Sequence, residues 1–306
     1  MLGNKRADFC SEVHYWKTLL KMGHEVIFLQ ESEATGADII RNSNVDCFFF
    51  IHTHGWATHG LDGALQLLKE KGVPTFGYHL DLFLGLTREP QIHDYVTKVD
   101  HFFTVDKLMA DWLNENTSTK GYYLPPGVFE DECYMAEPNR EKYPHDIIFT
   151  GSRQYHPEYP YRQKLINWLK ETYGDRFAHY GGGGLTGLRG HELNVLYASA
   201  KIVIGDTLCK DFTYPYYFSD RLTEVPGRGG FMIFPFIEGL QFMYDIDREI
   251  ISYQYNDFAG LKDKIDYYLS SDDKRDAIRL AGHKRAKASH TYTLRLQQIL
   301  NTLNLK

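Results

Sequence analysis

The chain has 306 residues, 43% of them hydrophobic and 24% charged, enough to bury a sizeable core and of a length that suits two domains. A formal net charge of -6 argues against bulk electrostatic attraction to nucleic acid or to an anionic membrane. No apolar run approaches the roughly 18 to 20 residues of a membrane-spanning helix, and Met1 to Arg6 lack the apolar core of a signal peptide.

In chain order the first half alternates helix and strand signals. Val13, Trp16, Leu19 and Leu20 share one helical face, and Gly23 stops that helix. Val26 to Leu29 reads as a buried strand, Ala37 to Asn42 as a short helix, and Cys47-Phe-Phe-Phe-Ile51 as a central parallel strand. Leu61 to Glu70 is an amphipathic helix, punctuated by Gly72 and Pro74 before a strand at Thr75 to Tyr78. His101 to Val105 is a strand, Lys107 to Asn114 a helix and Tyr122 to Leu124 a last short strand. This alternation predicts right-handed crossovers and a parallel sheet. Such a fold ordinarily opens with a strand and a glycine-bearing loop. Here the first helix follows Met1 to Phe9 almost at once, so either the sheet lacks that strand or the chain starts late.

Leu124-Pro-Pro-Gly-Val128 ends the alternation, and the irregular, polar stretch after it reads as a linker. We therefore expect a first Rossmann-like domain over 1–127, a linker over 128–145 and a second over 146–306, with the closing helix free to pack back on the first. In the second half, Asp146 to Thr150, Phe177 to Tyr180, Lys201 to Gly205 and Phe231 to Pro235 read as strands, with Ile250 to Tyr253 weaker. Helices are expected at Tyr161 to Thr172, His191 to Ser199, near Asp220 to Val225, Phe258 to Leu269, Asp273 to Ser289 and Thr293 to Leu303. The expected class is α/β, two Rossmann-like domains whose parallel sheets face a central cleft, with ligands at the C-terminal ends of the strands.

Four cysteines, Cys10, Cys47, Cys133 and Cys209, stand far apart without a C-x-x-C pair, which offers neither a zinc site nor a disulfide framework. The expected setting is reducing and cytoplasmic. The 22 Tyr and 19 Phe suit stacking on sugars or bases, although cores use such residues more often.

The second half carries the sharper chemical signals. Gly151 ends a strand and permits close backbone approach to a ligand, with Arg153 beside it to meet a phosphate; the alternative is a tight turn with a solvated arginine. Gly181 to Gly184 form a four-glycine loop after a strand, without a well-placed G-x-G-x-x-G. Arg189 opens a helix whose first amides favour an anion. Arg221 and Glu224 stand three apart on one face of a helical turn, with Ser219 placed to cap it. A carboxylate takes both hydroxyls of a ribose diol and an arginine holds a diphosphate; the plain alternative is a surface ion pair between the two. Gly229 and Gly230, before the strand that follows, complete the donor-binding candidates Gly151, Arg153, Arg189, Arg221 and Glu224.

In the first half, His52 or His54 follows a buried strand, and Asp81 follows the next; a His or Asp there would orient or deprotonate an acceptor hydroxyl. His54 and Asp81 are the catalytic candidates. His52, His54 and His59 also invite a metal reading, but no H-E-x-x-H or acidic pair accompanies them, so no metal is expected.

Phe149-Thr-Gly-Ser152, Leu196-Tyr-Ala-Ser-Ala-Lys-Ile-Val-Ile-Gly205, Ser219-Asp-Arg-Leu-Thr-Glu224, Gly229-Gly-Phe-Met-Ile-Phe-Pro235 and His290-Thr-Tyr-Thr-Leu-Arg295 occur in this order. Together they resemble the glycosyltransferase family-one-like group that includes the CgeB-type spore-maturation proteins. Tyr123-Leu-Pro-Pro-Gly-Val128 is similar to that group's interdomain junction. The N-terminal half matches by pattern only, through His14-Tyr-Trp-Lys-Thr-Leu-Leu-Lys-Met-Gly-His-Glu-Val26. The resemblance implies the GT-B fold and sugar transfer from a nucleotide-diphosphate donor that acts as co-substrate, with no other cofactor. It implies that Glu224 holds the donor ribose and that Arg221 and Arg153 neutralise its diphosphate in place of a metal. Retaining relatives place a second glutamate eight residues before the ribose-binding one, and Tyr216 stands there instead. Other readings are a nucleotide-sugar epimerase, a DNA-base glycosyltransferase that would need a basic channel and a flipped base, and a non-catalytic nucleotide-sugar-binding protein.

Overall fold

The structure is a computed structural model that describes residues 1–51, 58–87, 89–90, 98–154 and 159–305. The chain divides into two compact units, Met1–Pro125 with Tyr292–Lys306, and Pro126–Thr291.

The first unit runs β1 (Leu2–Gly3), α1 (Ser11–Lys21), β2 (Leu29–Gln30), α2 (Gly36–Arg41), β3 (Phe48–Ile51), α3 (Leu61–Glu70), β4 (Thr75–His79), β5 (His101–Thr104), α4 (Lys107–Asn116) and β6 (Lys120–Tyr123). Its six strands form one parallel sheet in the order β2-β1-β3-β4-β5-β6. The opening strand is therefore present. It contributes two residues, Leu2 paired with Leu29 and Phe50, and Gly3 paired with Gln30, too few to show any alternation in sequence. The strand expected at Val26 to Leu29 begins only at Leu29, where β1 supplies a partner, and Ile27 is left half-exposed.

Phe48, Phe49, Phe50 and Ile51 are all buried, as a central strand of a parallel sheet requires. Each such side chain contributes roughly 1.5–3 kcal/mol relative to leaving it exposed. Helix α3 lays Leu61, Ala64, Leu65 and Leu68 against this face, and Asp106 caps α4 by accepting from the Met109 amide at 3.2 Å.

The second unit contains β7 (Ile147–Thr150), α5 (Tyr161–Tyr173), β8 (Phe177–Tyr180), α6 (Gly190–Ser199), β9 (Ile202–Ile204), α7 (Arg221–Gly227), β10 (Met232–Pro235), α8 (Leu240–Met243), β11 (Ile251–Tyr253), α9 (Phe258–Leu269) and α10 (Asp272–Ser289). Its parallel sheet has the order β11-β10-β9-β7-β8. The stretch read as a linker, 128–145, packs within this unit. Val128 pairs with Thr291, the Asn139 amide donates to Ser199 Oγ at 2.7 Å, and Arg140 reaches the carbonyls of His145 and Ser199. Polar composition concealed this, because the stretch is held by scattered buried side chains, Val128, Phe129, Cys133 and Tyr143, and by hydrogen bonds to partners some sixty residues away.

The closing helix α11 (Tyr292–Thr302) belongs to the first unit. Tyr292 stacks on Tyr15 of α1 with ring centroids 4.1 Å apart, and Arg295 Nε donates to the Pro125 carbonyl at 2.7 Å.

Candidate functional site

The second sheet brings the ends of β7, β8 and β9 together with the start of α7. Strand β7 ends at Thr150, and Gly151 follows at φ +123°, a conformation that side-chain-bearing residues rarely adopt. A Cβ on Gly151 would lie 1.9 Å from Nη2 of Arg221, so the bare glycine is what admits that guanidinium. Arg221 Nε donates to the Thr150 carbonyl, and the guanidinium carbon lies 5.4 Å from the centroid of the Phe149 ring. Among the described residues no carboxylate comes within 4.0 Å of it.

Burial and the neighbouring Arg162 lower the Arg221 pKa to about 10. Arg162 does have a counter-ion. Its Nε lies 2.9 Å from Oδ2 of Asp206, whose carboxylate is fully buried, and its Nη1 donates to the Ser152 carbonyl at 3.1 Å. Asp206 follows β9 and also accepts from Tyr159 at 3.2 Å and Tyr255 at 3.3 Å, while its carbonyl accepts from Ser219 Oγ at 2.6 Å. Asp206 thus ties the loops after β7, β9 and β11 together through its carboxylate, and the segment that leads into α7 through its carbonyl. Neither Arg162 nor Asp206 was among the candidates read from sequence. Asp206 at a strand end was a usable signal, but its partner lies 44 residues away and only folding unites them.

The four-glycine loop lies against the same place. A Cβ on Gly181 would meet the Gly151 carbonyl at 2.4 Å, and one on Gly183 would meet Arg153 Cβ at 3.1 Å. The Arg153 amide donates to the Gly182 carbonyl at 2.8 Å. The loop is glycine-rich because two backbones approach closely here. His179 Nε2 donates to the Gly151 carbonyl at 2.6 Å, which places the proton on Nε2, and burial lowers the imidazole pKa.

The surface ion pair between Arg221 and Glu224 is not formed. Glu224 stands instead 3.9 Å from Arg228 Nη2, and among the described residues its carboxylate accepts no hydrogen bond. Arg228 is buried, donates to Asn194 Oδ1 at 2.6 Å and to the Gly190 carbonyl at 3.2 Å, and pairs with Glu132. Burial raises the Glu132 pKa against the pull of Arg228. Ser219 does not cap α7, since its hydroxyl is spent on the Asp206 carbonyl.

Gly229 and Gly230 close α7. Gly229 sits at φ +79°, its amide bonds to the Pro226 carbonyl at 2.9 Å, and the Gly230 amide bonds to the Val225 carbonyl at 2.8 Å. This is the paired arrangement that closes a helix through a left-handed glycine, and it uses both amides. Arg153 extends along α5 to Asn167 Oδ1, and Arg189 is an exposed residue at the N-cap of α6 whose charge reaches Glu132. The structure thus brings Gly151 and Arg221 into contact, while the Arg153 guanidinium is bonded on the outer face of α5.

In the first unit Asp81 is buried just past β4, where its Oδ1 accepts from the Leu82 amide at 3.0 Å. His52 and His54 lie outside the described residues. His59 is exposed, and its carbonyl accepts from the Gly36 amide at 2.7 Å.

Residues 153–301 match the family model described as glycosyl transferase-like. No curated protein sequence matches the chain. A glycosyltransferase from Rickettsia africae ESF-5 is similar in structure, at 15% identity over 98% of this chain and 96% of that one, with a TM-score of 0.61. HepE of Anabaena, solved with UDP and glucose, has 12% identity over 94% of this chain and 89% of its own, with a TM-score of 0.60. An α-glucosyltransferase in complex with UDP-glucose and DNA containing an abasic site has 12% identity over 99% and 98%, with a TM-score of 0.68. At these identities the likeness is one of fold. Residues 153–301 are glycosyl transferase-like, within a chain whose two parallel-sheet, Rossmann-like units are those of the GT-B glycosyltransferases.

Proposed function

We propose that this chain moves a sugar from a nucleotide-diphosphate donor to an acceptor hydroxyl, with arginine and not a metal stabilising the leaving diphosphate. One observation carries the reading: a partly buried guanidinium at the end of β7, anchored through Nε and without a carboxylate within 4.0 Å among the described residues. Holding a partly desolvated cation without an adjacent counter-ion costs stability, and the cost is recovered when an anion binds. A diphosphate suits it, because negative charge grows on the leaving oxygen as the glycosidic bond breaks.

In this reading Glu224 accepts from the ribose diol and Arg228 orients it. On the acceptor side Asp81 and His54 are the proposed groups for orienting or deprotonating the hydroxyl. The motif order favours the CgeB-type subgroup, and the four scattered cysteines favour a reducing, cytoplasmic setting for the reaction.

A thermal-shift series with UDP, GDP, ADP, CMP and dTDP tests the donor class. One nucleotide should raise the melting temperature by mass action, and Arg221→Ala and Glu224→Ala should each abolish the shift. Retention of binding in both variants would overturn the site. Slow hydrolysis of the matching nucleotide sugar, unchanged by a chelator, tests the metal-free step. Acceptor assays should include a DNA duplex alongside glycans and small alcohols.

A further inference from the structure

Glu224 on α7 and Arg228 at its C-terminal cap stand four apart, glutamate first, the spacing and order in which a helix ordinarily joins two such side chains. They do not join: Glu224 Oε1 stays 3.9 Å from Arg228 Nη2. The same Nη2 meets Glu132 instead, which comes from 96 residues away along the chain. One guanidinium thus lies between two carboxylates and is bonded to the distant one.

The distant partner is held in place. Asn194 of α6 is fully buried; its Oδ1 accepts from Arg228 Nη1 at 2.6 Å, and its Nδ2 donates to the carbonyls of Glu132 and Tyr134, each at 2.9 Å. A single amide therefore fixes the guanidinium and the backbone of its counter-ion together. Phe129 and Cys133, both buried, anchor the turn Glu130–Glu132 on either side. The Arg228 and Glu132 side chains are 3% and 14% exposed, so water scarcely competes for their contact, whereas that of Glu224, at 29%, keeps its access to solvent.

Among the described residues Arg228 Nε is buried without an acceptor, so this guanidinium has a donor to spare. Were Glu132 uncharged, the carboxylate at hand would be Glu224, and a buried cation closes on the counter-ion it can reach. A glutamate bonded to arginine spends lone pairs that a ribose diol needs, and an unengaged one offers both oxygens.

We infer that Glu132 is a positioning residue for the nucleotide: it holds the charge of Arg228 and so keeps both oxygens of Glu224 open to the ribose hydroxyls. The inference rests on the donor reading, in which Glu224 accepts from that diol.

Calorimetric titration of the full chain with UDP, GDP and ADP and with their 2′-deoxy counterparts tests it. The nucleotide that the native protein binds should bind about tenfold tighter than its deoxy form, the worth of a hydrogen bond to a charged group. Glu132→Gln should cut this preference to about two- or threefold while the affinity for the deoxy form stays unchanged. The double variant Glu132→Gln/Arg228→Met removes the cation along with its counter-ion, strands no charge in the interior, and should recover most of the preference. A full preference in Glu132→Gln overturns the inference and leaves the donor site standing. Equal weakening of both forms in that variant, the mark of a merely structural role, also overturns it, as does a double variant without recovery. If the single variant does not fold, a ribose preference in the double one supports the inference and its absence overturns it. If the native chain binds none of the six, or binds both forms equally, the donor reading itself fails and the inference with it.

Discussion

Gly151 and Arg221 occupy each other's space: the missing methyl of the glycine is where the Nη2 end of the arginine passes, 1.9 Å from the position a Cβ would take. Seventy residues apart in sequence, they join a strand end to a helix start.

Gly151→Ala should therefore damage fold and site together. A side chain at φ +123° is strained by about 1–3 kcal/mol, before the clash with Arg221 is counted. Urea unfolding should show that loss, and nucleotide affinity should fall at least tenfold. A fully stable Gly151→Ala protein with native affinity would remove the basis of the site.

Arg221→Met should separate function from stability. The native cation is partly buried beside Arg162, with its pKa lowered to about 10, so an apolar side chain of similar length relieves an unfavourable charge. We expect an unchanged or raised melting temperature, and a loss of roughly 10- to 100-fold in nucleotide affinity, the worth of charged hydrogen bonds.

The buried pair of Arg162 and Asp206 should behave in the opposite way. Asp206→Ala leaves Arg162 buried without its counter-ion, 7% exposed, and should cost about 3–5 kcal/mol in chemical denaturation. Removing both partners together should cost less than the sum of the single changes, and additive losses would show that the two are not coupled.

His179 predicts an acid-sensitive loop. Burial lowers its folded pKa below the ordinary 6.5, so above pH 6.5 neither state takes a proton there. As pH falls below 6.5 the unfolded chain binds a proton that the folded one refuses, and stability declines until the folded pKa is passed. His179→Gln retains a donor for the Gly151 carbonyl and should flatten part of that decline. Burial lowers His101 and His145 in the same direction, so some slope should persist. An identical pH profile in the variant would show that His179 contributes nothing to it.

Gly229→Ala should destabilise without touching nucleotide chemistry. The left-handed position costs a side chain roughly 1–2 kcal/mol, and the added methyl would meet Met135 Cγ at 2.6 Å. A lower melting temperature with unchanged nucleotide affinity at a temperature where the variant is folded is the expected pair of results.

Much of the fold was legible in the residues. Apolar runs such as Phe48 to Ile51 declare a central strand because both faces of a parallel sheet are covered, and helix periodicity placed α3 and α9 at their ends. Arg221, Glu224 and Gly151 stood out because charge and glycine at strand and helix ends have few cheap local uses. What the residues withheld was pairing. Whether Glu224 meets Arg221 or Arg228, whether Ser219 caps a helix or holds Asp206, and whether Gly229 greets a ligand or closes α7 are choices between partners of equal local merit. Those choices are settled by close packing between segments dozens of residues apart, where a methyl group's width admits one arrangement and forbids the other. Local sequence therefore determined the elements and the chemical vocabulary of the site, and tertiary packing alone decided which groups bind each other and which guanidinium, among the described residues, stands without a carboxylate beside it.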